Sequence, residues 1–352
     1  MNRFDYVRPA TVAEAVAAAS EPGSAYLGAG TNLLDLMKVG VARPGRVIDV
    51  TRLPGLDRIE WLPDGGVRIG AMVRNSDLAY DERFARAFPA VAEALLSGAS
   101  AQLRNAATVG GNLMQHTRCA YFHDLQSACN RRVPGSGCDA LGGENRLHAV
   151  LGWSEHCIAT HPSDFCVPLV ALDAVVEVEG PHGAREIDID RLHALPGATP
   201  EQETALAPGE LIVALRLPAD AAGFSRNARY LKLRERTSYA FAVVSATAML
   251  EVEAGTILRA RIALGGVAAK PWRAAEAEAS LEDAKPTADA FVKAAELALA
   301  EAQPSGDNAF KIELARRIVV RALTLASEGT PEVMPALPAS PFSTKIGANH
   351  VA

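Results

Sequence analysis

The chain has 352 residues, of which 49% are hydrophobic and 22% are charged, and its formal net charge is -6 at pH 7. This length suggests two or three domains with ample apolar material for a core. The negative net charge argues against a nucleic-acid binder. The sequence contains no run of about 18 apolar residues, so we expect no membrane span. The N-terminus has neither an apolar core nor a twin-arginine pair, so we expect no export signal in this chain.

The first part of the chain predicts alternating helices and strands. Thr11 and Glu14 have the spacing of a capping box, which predicts an alanine-rich helix that ends near Ser20. The elements that follow are a strand, a glycine turn and a helix at 24–40, a buried strand at 46–53, a hairpin around Asp64 and Gly65, and a helical stretch at 76–98 that is broken once before Pro89.

Residues 99–165 are different, because they are rich in Gly, Cys, His, Arg and Asn and have little hydrophobic periodicity. A loop of this length inside a compact domain usually has a function. Regular patterns return with a helix that Ser163 is expected to cap. The later elements are a hairpin turned at His182 and Gly183, a strand at 210–218, three strands between residues 228 and 267, and helices near 273–283, 286–302 and 308–327, before a Pro-rich, irregular end.

Two short glycine-containing motifs are candidate phosphate-binding loops. The first, GAGTN at 28–32, lies between a predicted strand and a predicted helix, and the second, RNAATVGGNLMQ, occupies 104–115. Glycine permits positive φ and close approach of a ligand, and two such loops suit a diphosphate held by backbone amides. Neither motif is a GxGxxG fingerprint or a P-loop, so the pattern alone fits a plain turn about as well as a ligand site.

Taken together, the motifs resemble those of the FAD-binding subunits of the molybdenum hydroxylases, a family that includes xanthine dehydrogenase, carbon monoxide dehydrogenase and bacterial aldehyde oxidoreductases. In that family an AGGTDL-like loop and a TIGGN-like loop hold the FAD diphosphate. The resemblance covers nearly the whole chain and includes FDYVRPATVAEA near the N-terminus, PSD at 162–164, YLKLRERTSYAFA at 230–242 and GGVAAKPWRA at 265–274. Each stretch is weak alone, but the combination is specific.

The resemblance implies an FAD site built from four parts of the chain. Asp164 would lie near the ribityl or adenosine part of FAD, unless it only caps its helix. Lys232 would lie near the isoalloxazine, where a cation stabilises the anionic reduced flavin, unless it faces solvent. Ala29 stands where the family usually has glycine, and it would be strained if it needed positive φ. The residues implied to hold the diphosphate are Leu27, Gly28, Ala29, Gly30, Thr31, Asn32 and Leu33, with Thr108, Gly110, Gly111 and Asn112.

All five cysteines lie between residues 119 and 166, whereas buried structural thiols would be spread evenly. A disulfide framework is disfavoured, because such frameworks are typical of short exported chains. The intervals contain no CxxC pair, so the usual zinc-ribbon and ferredoxin spacings are absent. Spacing alone indicates a metal centre and leaves a [4Fe–4S] cluster and a structural zinc about equally open.

The resemblance favours the cluster. A subgroup near the periplasmic aldehyde oxidoreductases is similar in RTRC, PGSGCDA and SEHCIATHPSD and has a [4Fe–4S] cluster in its flavin subunit. Cys166 belongs to an apolar helical pattern and is interpreted as a buried thiol. The implied cluster ligands are Cys119, Cys129, Cys138 and Cys157. Arginines that would offset the cluster charge are Arg118, Arg131, Arg132 and Arg146. A mixed Cys/His zinc site is the competing interpretation, with ligands drawn from His116, His123, His148, His156 and His161.

The implied fold class is α+β. Two subdomains would clasp FAD as in the vanillyl-alcohol-oxidase (PCMH-like) type, followed by a sheet-and-helices domain of the CO dehydrogenase flavoprotein type. The expected bounds are 1–55 for FAD-binding subdomain 1, 56–222 for subdomain 2 with an iron–sulfur insertion at about 115–160, 223–330 for the C-terminal domain and 331–352 for an irregular tail.

No Ser-His-Asp order, HExxH or P-loop is evident, which fits an electron relay better than bond chemistry on an organic substrate. The resemblance implies that electrons leave a molybdenum cofactor in a large partner subunit and pass through [2Fe–2S] clusters in a small subunit to FAD here. An external acceptor would then receive them, with the [4Fe–4S] cluster on or beside the path. The chain itself has the character of a cytoplasmic protein, and the subgroup implies export to the periplasm together with a partner subunit.

Three other functions stay open. A free-standing flavin oxidase or dehydrogenase would need an acid or base beside the flavin, for which Tyr239 and His161 are candidates. A zinc-braced interaction protein would need the cysteines but no flavin. The flavin subunit of a 4-hydroxybenzoyl-CoA reductase would also have an added cluster, although with more tightly spaced cysteines.

Overall fold

The computed structural model describes residues 1–332, so residues 333–352 of the expected irregular tail lie outside the described residues. The α-helices are α1 (Val12–Ala19), α2 (Leu33–Lys38), α3 (Asn75–Tyr80), α4 (Glu82–Ala87), α5 (Pro89–Ser97), α6 (Ala101–Ala106), α7 (Val109–Leu113), α8 (Ala120–His123), α9 (Cys166–Ala171), α10 (Ile189–Leu192), α11 (Ala275–Ala279), α12 (Ala288–Ala298) and α13 (Phe310–Ser327). The strands are β1 (Asp5–Val7), β2 (Ser24–Leu27), β3 (Arg46–Asp49), β4 (Ile59–Trp61), β5 (Val67–Gly70), β6 (Val175–Gly180), β7 (Gly183–Asp188), β8 (Leu211–Leu217), β9 (Ala228–Leu233), β10 (Val244–Glu253), β11 (Thr256–Gly265) and β12 (Trp272–Arg273). Among these helices, none combines the length and the apolar character that crossing a membrane requires.

The N-terminal sheet is parallel, with strand order β1-β3-β2. Helix α1 begins at the predicted position, where Thr11 Oγ1 accepts a hydrogen bond from Glu14 N at 3.2 Å. Glu14 Oε2 accepts in return from Ala10 N at 2.8 Å, one residue earlier than in the usual capping box. The cap orients the helix so that Ala15 and Val16 are buried. Strand β2 then leads directly into the first glycine motif.

The middle sheet has the order β4-β5-β8-β6-β7 and is antiparallel throughout. Its first hairpin turns as predicted, because Asp64 Oδ1 accepts from Gly66 N at 2.8 Å and Gly65 adopts φ +97°. One hydrophobic core joins this sheet to its neighbours and contains Ile48, Ile69, Phe84, Val91, Phe165 and Tyr230. The FAD-type motifs therefore sit on a continuous packed body.

The C-terminal sheet has the order β12-β11-β10-β9 and is also antiparallel. Helices α11 and α13 pack on it, α12 packs against both helices, and together they form a second core, to which Val244, Ile262, Phe291 and Val319 contribute. Helix α5 of the middle region packs against the other side of β9. Strand β9 is thus buried between the two cores, which fixes the side chains it presents to the functional site.

Two stretches differ from what the sequence indicates: one is more broken and one is more regular. The predicted helical stretch at 76–98 is three helices, because Asp81 has an extended backbone and caps α4 by accepting from Phe84 N at 2.7 Å. The predicted break before Pro89 is present as well. Residues 99–165 contain α6, α7 and α8, which Gly and Asn obscure in a periodicity analysis.

The cysteine-containing segment is attached to α13 by a buried polar network. Lys311 is fully buried, and its Nζ donates to Leu147 O at 2.9 Å, His148 O at 2.7 Å and Gly266 O at 2.7 Å. Asn308 Nδ2 donates to His148 O at 3.2 Å. A buried carbonyl without a hydrogen-bond partner costs free energy. The side chains of Lys311 and Asn308 supply the donors that backbone amides would supply in a helix or sheet.

Candidate functional site

The two glycine motifs, the Pro-Ser-Asp turn and strand β9 border one cleft of ≈ 840 Å³. The loop that joins β9 to β10 covers part of it, with exposed Tyr239 and Phe241 on the wall. The predicted site residues that line it are Thr31, Asn32, Gly111, Asn112, Asp164 and Lys232. The predicted site residues that are not among those lining the cleft are Leu27, Gly28, Ala29, Gly30, Leu33, Thr108 and Gly110. A volume of this size matches the range of cofactor pockets.

The two glycine motifs are in direct contact. A methyl group on Gly28 would lie 3.1 Å from Thr108 Oγ1, and Asn32 Oδ1 accepts from His116 N at 3.0 Å. Gly30 adopts φ +75°, whereas Ala29 is not among the residues with positive φ. The replacement of the usual glycine by Ala29 is therefore free of backbone strain.

The two motifs differ in what their amides do. Within residues 1–332, the amides from Gly28 to Asn32 donate no hydrogen bond to protein, so consecutive donors are available to a ligand. In the second motif, Gly110 N donates to Ala71 O at 2.8 Å and Gly111 N donates to Thr108 Oγ1 at 3.2 Å. The first motif thus provides free donors, and the second provides close packing plus the Asn112 side chain.

Several buried polar atoms on the cleft wall lack protein partners in the described part of the chain. They are Asn32 Nδ2, Asn75 Oδ1, Arg118 Nε and His148 Nδ1. Buried polar groups are nearly always hydrogen-bonded, so these donors and acceptors indicate a polar ligand. The basic residues on the wall are Arg104, Arg118, Arg146, Lys232 and Arg236. Donors, acceptors and positive charge together fit a dinucleotide with a diphosphate such as FAD.

Lys232 and Asp164 form a buried ion pair on the cleft wall. Lys232 Nζ lies 2.7 Å from Asp164 Oδ2 and donates to Ser97 O at 3.2 Å. Tyr230 Oη donates to Asp164 Oδ1 at 2.6 Å, and burial together with the Asp164 charge raises the pKa of Tyr230. Lys232 therefore does not face solvent. Asp164 does not cap α9, whose N-cap residue is Phe165; Ser163 Oγ accepts from Cys166 N, the first residue of the helix, at 3.2 Å.

The sequence interpretation missed Tyr230 as the third member of this group. A signal was present, because residues two apart on a strand point to the same face and YLK places Tyr230 and Lys232 there. The Tyr230 hydroxyl uses one Asp164 oxygen and Lys232 the other, so the carboxylate is held in one orientation. The Lys232 ammonium is thereby held in place at the cleft wall, with its charge balanced by Asp164.

The four cysteines at 119, 129, 138 and 157 line one small cavity, which adjoins the cleft. The backbones of Cys129 and Cys138 form an isolated antiparallel β-bridge. All five cysteines are free thiols. Of the four, Cys119 also lines the cleft. Cys166 lines neither space and lies in the main hydrophobic core, which matches its interpretation as a buried thiol.

Backbone and side-chain donors surround the sulfur atoms. The amides of Tyr121 and Phe122 donate to Cys119, and Ala159 N lies 3.4 Å from Cys157 Sγ. Burial nevertheless raises the pKa of Cys119 to about 11, with a further contribution from the neighbouring thiols, and burial also raises the pKa of Cys138. Four thiolates would be unfavourable there without a cation, so N–H···S donors and crowded thiols fit a metal or an iron–sulfur cluster.

Three of the four expected arginines border the two spaces, whereas Arg132 borders neither and donates to Tyr121 O and Phe122 O at 2.8 Å. Arg131 is buried, donates to Cys157 and forms an ion pair with Glu203 at 2.7 Å. Arg118 and Arg146 line the cleft instead. Two of the candidate histidines are near the cysteines and could complete a mixed Cys/His site: His156 lines the cysteine cavity, and His148 Nε2 lies 3.2 Å from Cys119 Sγ.

A second buried group, His161, Cys166 and His193, has potential ligand atoms within 4.8 Å of one another. His193 Nε2 donates to Leu113 O at 2.8 Å, which leaves a lone pair on Nδ1. His161 Nδ1 accepts from Ser163 N at 3.3 Å, which leaves the proton on Nε2. A metal bound here would need a lone pair on both His193 Nδ1 and His161 Nε2, but His161 Nε2 carries a proton. The two histidines therefore fit neutral imidazoles better than metal ligands. Burial lowers the pKa of His193 to about 4 and also lowers that of His161, in agreement.

Comparison with known proteins gives matches along almost the whole chain. Residues 2–220 match the FAD binding domain in molybdopterin dehydrogenase, and residues 229–326 match the CO dehydrogenase flavoprotein C-terminal domain. The aldehyde oxidoreductase FAD-binding subunit PaoB of Escherichia coli (strain K12) is 49% identical over 93% of this chain and 99% of its own. The carbon monoxide dehydrogenase medium chain of Hydrogenophaga pseudoflava is 29% identical over 92% and 97%. The solved CO dehydrogenase from Oligotropha carboxidovorans superposes with TM-score 0.73 at 26% identity, covering 94% of this chain and 99% of that chain.

Proposed function

Because the chain belongs to the FAD-binding subunits of the molybdenum hydroxylase family, we propose that it carries FAD and a [4Fe–4S] cluster and transfers electrons within an aldehyde oxidoreductase. One observation carries the proposal beyond the family: Cys119 lines both the cysteine cavity and the cleft. A cluster held by Cys119, Cys129, Cys138 and Cys157 would therefore be a direct neighbour of the flavin site. Electron transfer between adjacent redox groups needs no mobile part of the protein.

The residues of this chain would bind and orient the flavin. The free amides from Gly28 to Asn32 would hold the diphosphate, with Thr108 packed against Gly28, Gly110 packed against Ala71, and Gly111 on the cleft wall. Asn112 and the Lys232–Asp164 pair, which line the same cleft, would contact the rest of the cofactor. When bound, FAD supplies the conversion between two-electron and one-electron transfer.

The substrate reaction would take place in partner subunits. We propose a molybdenum-containing large subunit and a [2Fe–2S] small subunit, an aldehyde as the substrate of the complex, and an external acceptor for the electrons. The 49% identity to an aldehyde oxidoreductase subunit supports this assignment over the more distant CO dehydrogenase chains. Of the acid–base candidates for a free-standing oxidase, buried His161 does not line the cleft, whereas Tyr239 does. We further propose periplasmic localisation by export with a partner, which fractionation of the assembled complex would test.

The decisive experiment compares two cysteine variants in the complex, purified without oxygen. Wild type is expected to contain FAD and about four iron and four sulfide per chain. Cys138→Ser removes a proposed ligand and should lose the iron, whereas Cys166→Ser alters a buried thiol outside the cavity and should keep it. Stoichiometric zinc without iron would contradict the cluster and retain the flavin assignment, and a wild type with neither flavin nor iron would contradict both.

A further inference from the structure

One imidazole connects the cysteine cavity to the cleft. His148 Nε2 lies 3.2 Å from Cys119 Sγ, within hydrogen-bond distance for sulfur. The same side chain is 9% exposed and lines the cleft. Its other ring nitrogen, Nδ1, is buried and has no partner among the described residues. The ring therefore has one nitrogen at a proposed cluster ligand and, on a side chain that lines the cleft, one nitrogen without a partner.

Resting on the function proposed above, we propose that His148 tunes and positions both redox groups: Nε2–H donates to Cys119 Sγ, and Nδ1 accepts a hydrogen bond from the bound FAD. The tautomer follows from the chemistry of the ligand sulfur. A cluster-bound thiolate has no proton, so the hydrogen of this contact must come from Nε2. A neutral imidazole with its proton on Nε2 has a lone pair on Nδ1. A flavin N–H, a ribityl or ribose hydroxyl, or the adenine amine can donate to it.

The backbone of His148 is fixed, so its ring has little freedom to leave this position. His148 N donates to Asn145 O at 2.9 Å, while His148 O accepts from Lys311 Nζ at 2.7 Å and from Asn308 Nδ2 at 3.2 Å. The Tyr121 ring lies near the imidazole, with ring centroids 6.4 Å apart. Because the backbone N and O of His148 are both hydrogen-bonded, its side chain can act on the cofactors without moving.

The proposed hydrogen bond has a predictable effect on the cluster. Reduction adds negative charge to the cluster and its thiolates, so a donor to sulfur stabilises the reduced form more than the oxidised form. His148 would therefore raise the cluster potential. Its Nδ1 would separately strengthen FAD binding, since a buried acceptor is left unsatisfied when FAD is absent.

Two substitutions separate the two contacts. His148→Gln places an amide donor where Nε2 stands and has no atom at Nδ1. His148→Asn places an amide oxygen near Nδ1 and is too short to reach Cys119. In the complex, we expect His148→Asn to lower the cluster midpoint potential in an EPR-monitored titration with FAD affinity near wild type. We expect His148→Gln to weaken FAD binding about fivefold with the cluster potential near wild type.

The control is His123→Gln, because His123 lies in the same segment but bonds Thr117 O at 3.1 Å and lines neither space. It should change neither measurement. If His148→Asn and His148→Gln alter both measurements together, or leave both as in the control, the inference is wrong. A wild type that lacks iron or FAD would instead overturn the proposed function, which the metal and flavin analysis detects before any variant is compared.

Discussion

Replacing Lys232 by Met removes one half of the buried ion pair on the cleft wall. Lys232 and Asp164 side chains are 1% and 8% exposed, and the Nζ–Oδ2 distance is 2.7 Å. Loss of one partner leaves a buried charge uncompensated, which costs about 3–5 kcal/mol. The Tyr230 hydroxyl would still donate to Asp164, so we expect a loss near the lower end of this range. Urea denaturation of the full chain measures this change in the free energy of unfolding.

FAD affinity should fall in the same variant, because Lys232 lines the cleft. A lost hydrogen bond to a charged group corresponds to a dissociation constant for FAD that is about 10- to 100-fold higher, which flavin fluorescence titration measures. Arg229→Met is the matched control: Arg229 lies on the same strand and pairs with Glu93 at 3.1 Å, and both are buried away from the cleft. It should lower stability without lowering FAD affinity.

Two results would refute this reasoning. A stability loss below about 1 kcal/mol in Lys232→Met would mean that the pair behaves like an exposed one. An equal loss of FAD affinity in Lys232→Met and Arg229→Met would mean that the flavin responds to general destabilisation of β9. The double variant Lys232→Met/Asp164→Leu should recover part of the stability, since no buried charge is then left alone.

Three further predictions concern other parts of the molecule. Gly110→Ala would place a methyl group 2.9 Å from Ala71 Cβ, so urea denaturation should show a loss of about 1–3 kcal/mol, whereas Gly142→Ala meets nothing within 4 Å and should be nearly neutral. Burial opposes the charged form of Asp49, but hydrogen bonds from Thr51, Tyr6 and Arg8 outweigh it and lower its pKa to about 2. The ionised Asp49 therefore stabilises the folded state by about 2 kcal/mol above pH 4, and this contribution is lost as pH falls through 2. Asp49→Asn should remove this pH dependence, which thermal unfolding at about pH 2 to 5 measures. Arg146→Ala breaks a half-exposed pair with Glu235 at the cleft rim and should change stability by less than about 1 kcal/mol, and a larger loss would contradict solvent screening there.

Local signals were sufficient for much of the fold. Thr11 with Glu14, and Asp64 with Gly65, carry their structural preference in adjacent residues, and both form as predicted. The FAD-type family could also be predicted, because its motifs are short and lie in fixed order along the chain. Such features need no knowledge of which distant residues meet.

The gathering of the functional residues depends on distant contacts instead. Asp164 and Lys232 are 68 positions apart in sequence, and their pairing requires the turn before α9 to meet strand β9. The fold brings Cys119 and Cys157 to one cavity, although the sequence has no CxxC spacing that would predict this. His148 gave no sequence signal beyond being one of several histidines, because its role depends on the ring lying between two spaces.

The attachment of the cysteine segment to α13 also bears on how the protein matures. Lys311 is 164 positions beyond Leu147 and 163 beyond His148, whose carbonyls it holds. At about 5–20 residues per second, a ribosome needs roughly 10–30 s to cover that interval. The cysteines therefore leave the ribosome long before the helix that secures their backbone exists. The contacts that hold the cysteine segment against α13 thus form late, and the thiols can receive whatever they bind in the interval before α13 is synthesised.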